Sequence, residues 1–109
     1  MIPFVKLEDV LDKENRKEGY VLLDERHGCV KGCRCGISFY HGDEYGKETA
    51  HDDQEGFYVL EGRGRALIGG EEFVMEPGMA FMVPAGVTHT MKREAGKYHM
   101  YLQYILFFL

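Results

Sequence analysis

The sequence is short of basic charge and of long apolar segments. Lysine and arginine number 13 against 18 aspartates and glutamates, which gives a formal net charge of −5. A nucleic-acid or anionic-membrane surface needs clustered basic residues, so neither partner is expected. No basic region followed by an apolar stretch opens the chain, and the longest apolar run, residues 104–109, is far too short to span a bilayer. These features predict a cytoplasmic protein.

Cysteine is also scarce and its count is odd, with Cys29, Cys33 and Cys35. An odd number without a visible secretion signal favours reduced thiols over a disulfide framework. The spacing also differs from that of zinc knuckles. We interpret the three as small apolar residues in a barrel wall. The alternative, a redox-sensitive or soft-metal cluster, has no support elsewhere in the sequence.

Helical patterns are missing after residue 20, and a short helix is predicted only near residues 7–15. The other segments are brief, aromatic or β-branched and separated by glycine, of which there are 14. This pattern is typical of an antiparallel barrel or sandwich and excludes a parallel α/β sheet. The length of 109 residues and the absence of an internal repeat favour a single domain over residues 1–109. The predicted fold class is all-β, with a short N-terminal helix or irregular segment.

The predicted strands are bounded by turns that contain glycine or proline. The strands cover residues 20–23, 34–40, 56–61, 64–68, 72–75, 80–83, 88–92 and 98–106. Gly69-Gly70 is a strong signal for a two-residue hairpin. Two further turns, at residues 76–78 and 84–86, combine a proline that presets φ with a glycine that tolerates positive φ.

Three residues, His51, Glu55 and His89, are the candidate metal ligands. His51 and Glu55 are four positions apart, and side chains an even number apart on an extended strand point to the same face. His89 ends a second segment, residues 78–89, which reads as a strand, a tight turn and another strand. Two imidazoles and one carboxylate, with open positions left over, suit a catalytic divalent metal.

The same segments resemble the two motifs of the cupin superfamily. The first motif has two histidines flanking one residue, then a glutamate, and a glycine after six more residues. Glu55 and Gly62 have this spacing. The second motif is a glycine, five residues, proline, any residue, glycine, two residues and histidine. The chain has these residues at Gly78, Pro84, Gly86 and His89. The resemblance covers roughly residues 36–105 and implies a single cupin, a jelly-roll β-barrel of antiparallel strands.

The chain departs from the family pattern at two positions. The first motif histidine falls at Thr49, and the asparagine usual after the last histidine falls at Arg93. Three ligands, with water or substrate in the open positions, still suffice for a metal. Alternatively, Glu48 or Glu44 replaces the missing ligand, or the site has lost its metal. The resemblance implies a divalent ion (Fe, Mn, Ni or Zn).

Strand alternation predicts a mostly apolar pocket around the ligands, lined by Phe57, Phe81 and Met91. Arg93 follows His89 on the same face and is a candidate anion contact. The competing interpretation of Arg93 is a rim residue that points into water. Thr49 and Glu48 are the polar candidates beside the site, with Thr49 facing the metal without binding it. Such a pocket suits a small organic molecule held next to a cation.

The remaining histidines are weaker candidates. His27 and His41 adjoin glycines in predicted turns, where a histidine is usually exposed. His99 belongs to the terminal strand and is a reserve ligand.

The C-terminal run, residues 98–109, is apolar on both predicted faces. A strand buried on one side only alternates with polar residues, and an exposed apolar patch usually marks an association surface. We therefore predict a homodimer that pairs through this strand. The alternative is that residues 2–10 fold back to cover it.

Two functional classes fit these expectations. The first is a metal-dependent enzyme, dioxygenase-like or isomerase-like, acting on a small polar organic molecule, with the metal as a Lewis acid and Glu48 as a candidate base. The second is a non-catalytic module that binds a small molecule or stores a metal. The fold does not choose between them, because one barrel hosts many functions.

Overall fold

The computed structural model describes residues 4–10, 19–29, 34–40, 42–94 and 102–108, the last by its backbone pairing. This part of the chain forms two antiparallel sheets preceded by a short helix, α1 (Leu7–Val10). The strands are β1 (Gly19–Leu23), β2 (Arg34–Tyr40), β3 (Glu55–Glu61), β4 (Gly64–Ile68), β5 (Glu71–Met75), β6 (Ala80–Val83), β7 (His89–Arg93) and β8 (Leu102–Phe108). The predicted all-β fold is confirmed. No described helix has the length and apolar character needed to cross a membrane.

The predicted strand bounds agree with the structure to within one residue except for the last strand. The last strand was predicted over residues 98–106; β8 spans Leu102–Phe108, two residues further at its end, and residues 98–101 lie outside the described residues. The predicted N-terminal helix is present as α1 over Leu7–Val10, and the remainder of its predicted span, residues 11–15, lies outside the described residues. The sequence patterns also missed a 3-10 helix at Glu25–His27, which Asp24 caps by accepting a hydrogen bond from the backbone N–H of Arg26.

The strand order places the C-terminal strand at the centre of the larger sheet. This sheet has the order β1-β2-β8-β3-β6, and the smaller sheet has the order β5-β4-β7. β8 pairs with β2 on one side and with β3 on the other, so that Ile105 lies opposite both Ile37 and Tyr58. The most apolar segment of the chain is therefore a central strand.

The core lies between the two sheets. Its buried members come from strands of both, namely Phe57, Val59, Ala66, Met75, Val83 and Met91. Burial alternates along β3, where Glu55 is buried in step with the core residues and Tyr58 and Leu60 are exposed. This alternation brings a carboxylate into the end of an otherwise apolar core.

The predicted hairpin at Gly69-Gly70 is confirmed. β4 and β5 are joined through these two residues, and Ile68 pairs with Glu71 across the turn. Gly69 and Gly70 have φ angles of 56° and 84°. Positive φ at both central positions is what a type I′ turn requires, and glycine adopts it without steric cost.

Gly36 is a position at which an added side chain would meet the neighbouring backbone. A Cβ there would lie 2.7 Å from the carbonyl oxygen of Tyr20 on β1. We expect Gly36→Ala to lower the free energy of unfolding by about 1–3 kcal/mol, because β1 and β2 would have to move apart. Urea unfolding measures this loss. Gly46→Ala is the matched control, since nothing lies within 4 Å of its Cβ position, and an equal loss in both variants would contradict the prediction.

Candidate metal centre

His51, Glu55 and His89 come together at one end of the core, and their candidate ligand atoms all lie within 4.8 Å of one another. Nε2 of His51 contacts Oε1 of Glu55. The imidazole rings of His51 and His89 have centroids 5.0 Å apart and an interplanar angle of 84°. Three donors at this separation have the spacing needed to surround one ion, to which each would bind at about 2.0–2.2 Å.

His51 and Glu55, the candidate ligands of the first motif, lie in different secondary structure. Glu55 is the first residue of β3 and is 4% exposed. His51 lies in the irregular segment before this strand, so the prediction that one strand carries both residues is wrong. The segment is instead fixed across the site, because the carbonyl of His51 accepts a 2.8 Å hydrogen bond from the N–H of Gly86. This hydrogen bond restrains the backbone of His51, so that its side chain stays close to that of Glu55.

His89 begins β7 and is held beside the position of the missing family histidine. Its backbone exchanges two hydrogen bonds with Thr49, of 2.8 and 3.1 Å. Thr49 is exposed and does not belong to the group of candidate ligands. Glu44 and Glu48 are also exposed and also lie outside that group. Among the described residues, the donor set is therefore two imidazoles and one carboxylate.

The electrostatics of this donor set fit a cation. Burial raises the pKa of Glu55 above its ordinary value, although the charges of His51, His89 and Arg34 act in the opposite direction. Nδ1 of His89 is buried and has no hydrogen-bond partner among the described residues. A buried carboxylate and an uncommitted imidazole are both unfavourable in isolation, and a bound cation would offset both costs.

The raised pKa of Glu55 predicts a pH dependence for the metal-free protein. A carboxyl whose pKa is raised on folding stabilises the fold below its unfolded-state pKa, and this contribution is lost as the pH rises through the folded-state value. We expect Glu55→Gln to escape that loss, so that its melting temperature gains on that of the wild type as the pH rises above the ordinary carboxyl pKa of about 4.

Thermal unfolding in the presence of a chelator measures this difference. The matched control is Glu72→Gln, because hydrogen bonds from Tyr45 and Arg65 lower the pKa of Glu72. Its carboxylate contributes stability that is present above the unfolded-state pKa and lost as the pH falls, which is the opposite sign. If both variants lose stability relative to the wild type as the pH rises, the prediction that folding raises the pKa of Glu55 is wrong.

The apolar residues predicted around the site form part of the core. The rings of Phe57 and Phe81 stack with centroids 4.9 Å apart and an interplanar angle of 15°. Met91 is buried in the same cluster. Arg93 lies at the opposite end of β7 from His89. The ligands thus lie at one end of an apolar interior, and Arg93 lies at the other.

A cavity of about 530 Å³ opens beside His89. Its lining includes Ser38, Tyr40, Gly42, Thr49, His89 and Met91. This volume is in the range typical of small-molecule sites, about 300–1,000 Å³.

Sequence patterns did not predict the contribution of β2 to this region. Ser38 and Tyr40 line the cavity, and the charge of Arg34 acts on Glu55. Arg34 and Glu55 lie opposite the same residue of β8, Phe108, from its two sides. The alternation of apolar and polar residues along β2 was the sequence feature that could have indicated this contribution. It does so only once β8 is known to lie between β2 and β3.

The other candidate histidines and the cysteines contribute no ligand that the structure describes. His27 was predicted to be exposed, but its side chain is only 16% exposed, because its Nδ1 accepts a hydrogen bond from the backbone N–H of Asp24. Cys29 and Cys35 are half-buried. Three further candidates lie outside the described residues: Cys33, His41 and His99.

The family model for the cupin domain matches residues 37–104, more than half of the chain. The chain belongs to the cupin family. No curated protein matches the sequence. The polyketide cyclase RemF from Streptomyces resistomycificus has a similar structure, with a TM-score of 0.77 and 21% identity, over 99% of this chain and 79% of RemF.

Two further solved structures share the fold of this cupin. The Cnp3 cupin domain of Schizosaccharomyces pombe has a TM-score of 0.69 and 13% identity, over 86% of this chain. Fe(II) HppE has a TM-score of 0.70 and 18% identity, over 84% of this chain. The chain spans only 62% of the Cnp3 structure and 48% of the HppE structure. These similarities show a common barrel.

Proposed function

We propose that this cupin binds a divalent metal through His51, Glu55 and His89 and acts as a metal-dependent enzyme on a small polar organic molecule, as a dioxygenase or an isomerase does. The observation that carries the proposal is a buried carboxylate grouped with two imidazoles, of which one, His89, lines a cavity of about 530 Å³. Fe, Mn, Ni and Zn all accept this donor set.

The three ligands have distinct tasks in this proposal. Glu55 supplies the negative charge that selects a cation, and its position at the start of β3 keeps the carboxylate shielded from water. His89 brings an imidazole from the smaller sheet. His51 lies in irregular backbone and has a side chain that is 36% exposed, so it adjoins solvent.

Thr49 accounts for the open positions of the site. Because it brings a hydroxyl where the family has an imidazole, part of the coordination sphere is left for a ligand that enters from the cavity. A metal bound there would supply Lewis-acid chemistry at an oxygen atom of that ligand. The ring of Phe57, which is buried, and that of Phe81, which is half-buried and stacks on it, exclude water from the interior behind the site and so strengthen its electrostatics.

The structural relatives support the proposal at the level of the fold. HppE is described as an Fe(II) protein and RemF as a polyketide cyclase. A barrel of this shape therefore occurs both in a metal-containing protein and in an enzyme. The predicted cytoplasmic location and the predicted homodimer stay predictions.

The second candidate function is a non-catalytic module that binds a small molecule or a metal. It is favoured by the exposure of Glu48, the candidate base, which lies outside the ligand group. No catalytic residue beyond the ligand set is assigned among the residues that the structure describes.

Incubation with a small-metabolite extract distinguishes the two functions. The protein is stripped with a chelator and reloaded with Fe(II), Mn(II), Ni(II) or Zn(II), and the extract is analysed by mass spectrometry. We expect one loaded form to convert a compound that neither the metal-free protein nor Glu55→Gln converts. A compound retained unchanged by the loaded protein would indicate the binding module. No conversion and no retention in any form would contradict both functions.

A further inference from the structure

Arg93 is a cation in the barrel that lacks an acidic partner among the described residues. It alternates with Met91 and His89 along β7, so its side chain starts on the inner face of the smaller sheet. Its Nε is buried and has no hydrogen-bond partner in the part of the chain that the structure describes. Ion pairs to carboxylates are made by three other arginines, Arg26, Arg63 and Arg65.

An unpartnered donor of this kind indicates a place for an acceptor. A buried N–H group without a hydrogen bond costs free energy, and more so when the group is charged. The residue opposite Arg93 on β4 is Gly64, which brings no side chain beside the guanidinium. The chain has 18 acidic residues, yet none of those described forms an ion pair with Arg93. The guanidinium is therefore left available to a ligand.

The cavity follows β7 from His89 toward this arginine. It is lined by His89, Thr90 and Met91 and by Gly42, whose carbonyl oxygen accepts the backbone N–H of Arg93 at 2.8 Å. Arg93 adjoins this lining and is not part of it. His89 and Arg93 are four residues apart on an extended strand, so their Cα atoms are separated by about 13 Å. A small molecule lying along β7 would have the metal centre at one end and the guanidinium at the other.

We propose that Arg93 binds a carboxylate of the substrate, and that the substrates are small organic acids whose metal-chelating group lies at the other end of the molecule. This inference rests on the proposed function. Guanidinium donors match the two oxygens of a carboxylate with paired hydrogen bonds. The net charge of −5 disfavours the binding of anions in general. A cation held inside the barrel would offset this repulsion for an anionic substrate.

The test compares pairs of probe acids on the Zn(II)-loaded protein by calorimetric titration. Each pair is a linear 2-oxo dicarboxylate and the 2-oxo monocarboxylate of equal length, and about two to five methylene groups vary the distance between the chelating group and the second carboxylate. We expect one chain length at which the dicarboxylate binds about tenfold more tightly or better. Arg93→Gln should abolish this preference and leave monocarboxylate binding unchanged, and Arg93→Lys should restore part of it.

Lys92→Gln is the matched control, because it removes the neighbouring cation on β7, which alternates with Arg93 and lies over the ring of Tyr45, and it should keep the preference. A second measurement does not depend on the metal. In the metal-free protein, the Nε–H resonance that disappears in Arg93→Gln should shift when pentanoate is added. Metal content is determined in parallel for every variant.

The outcomes separate this inference from the proposed function. If the wild type retains no metal but the Arg93 resonance shifts, the metal centre fails and the carboxylate site stands. If metal is retained but the wild type shows no dicarboxylate preference, or Arg93→Gln keeps it, the carboxylate site is overturned. A resonance that does not shift in a protein that also lacks metal overturns both.

Discussion

Replacement of His51 or His89 by alanine is expected to remove at least about nine-tenths of the bound metal, because two remaining donors hold a divalent ion far more weakly than three. The wild type, stripped and reloaded, should retain about one equivalent after dialysis, as a single site of this kind predicts. Elemental analysis of the dialysed proteins measures the difference. Added metal should also raise the melting temperature of the wild type and not that of either variant.

His27→Ala is the matched control for this experiment. His27 is a half-buried histidine whose Nδ1 is engaged with the backbone N–H of Asp24, and it is outside the ligand group. Its variant should retain metal like the wild type. His51→Ala is the cleaner of the two test variants, since His51 is partly exposed and lies outside the regular strands. Equal metal content in all four proteins would exclude the site.

The fold was predictable where local chemistry decides it. Gly69-Gly70 requires a two-residue turn, and the structure has that turn with positive φ at both positions. The alternation of apolar residues along β3 predicted which of its side chains are buried. Both features depend on a few neighbouring residues, which is why sequence patterns detect them.

The strand order was not predictable in the same way. β8 lies between β2 and β3, although it follows them by many residues in the chain. Pairing between distant strands depends on how the whole barrel closes, and local propensity carries no information about it. The proximity of Arg34 to Glu55 follows from this order, since both lie opposite Phe108.

Residue spacing and the resemblance to the two cupin motifs predicted the candidate ligands, and the structure groups all three. The expectation that one strand carries both His51 and Glu55 is wrong, because His51 precedes the strand that begins at Glu55. A hydrogen bond between His51 and Gly86 replaces the strand as the restraint. Such a contact between two turns depends on the tertiary fold and has no pattern in the sequence.

An exposed apolar patch gives the predicted homodimer a specific surface. Tyr58, Leu60 and Met82 are 43%, 38% and 47% exposed, and we call them the outer patch. Tyr58 lies opposite Ile105, so the patch adjoins the central strand β8. Fold-back of the N-terminal segment receives little support from its described part, because α1 has no buried residue and Phe4 is 64% exposed.

The double variant Tyr58→Glu, Met82→Glu is expected to be monomeric. Burying about 800 Å² per partner is ordinary for a stable dimer, and at about 25 cal/mol per Å² of apolar area it outweighs a moderate cost of association. Two buried, unpaired carboxylates on each side of a two-fold interface would reverse that balance. Light scattering at micromolar concentration should give twice the chain mass of 12.5 kDa for the wild type and that mass itself for the variant.

Val21→Glu is the control for this experiment, because Val21 is also an exposed apolar residue but lies on β1, at the other edge of the sheet from β6. Its variant should remain dimeric. A charge at Leu106 would be less informative, since Leu106 pairs with the buried core residue Phe57 and its replacement tests the barrel itself. A monomeric wild type would refute the dimer, and coverage of the sheet by residues 2–10 would then be the better explanation of the apolar C-terminus.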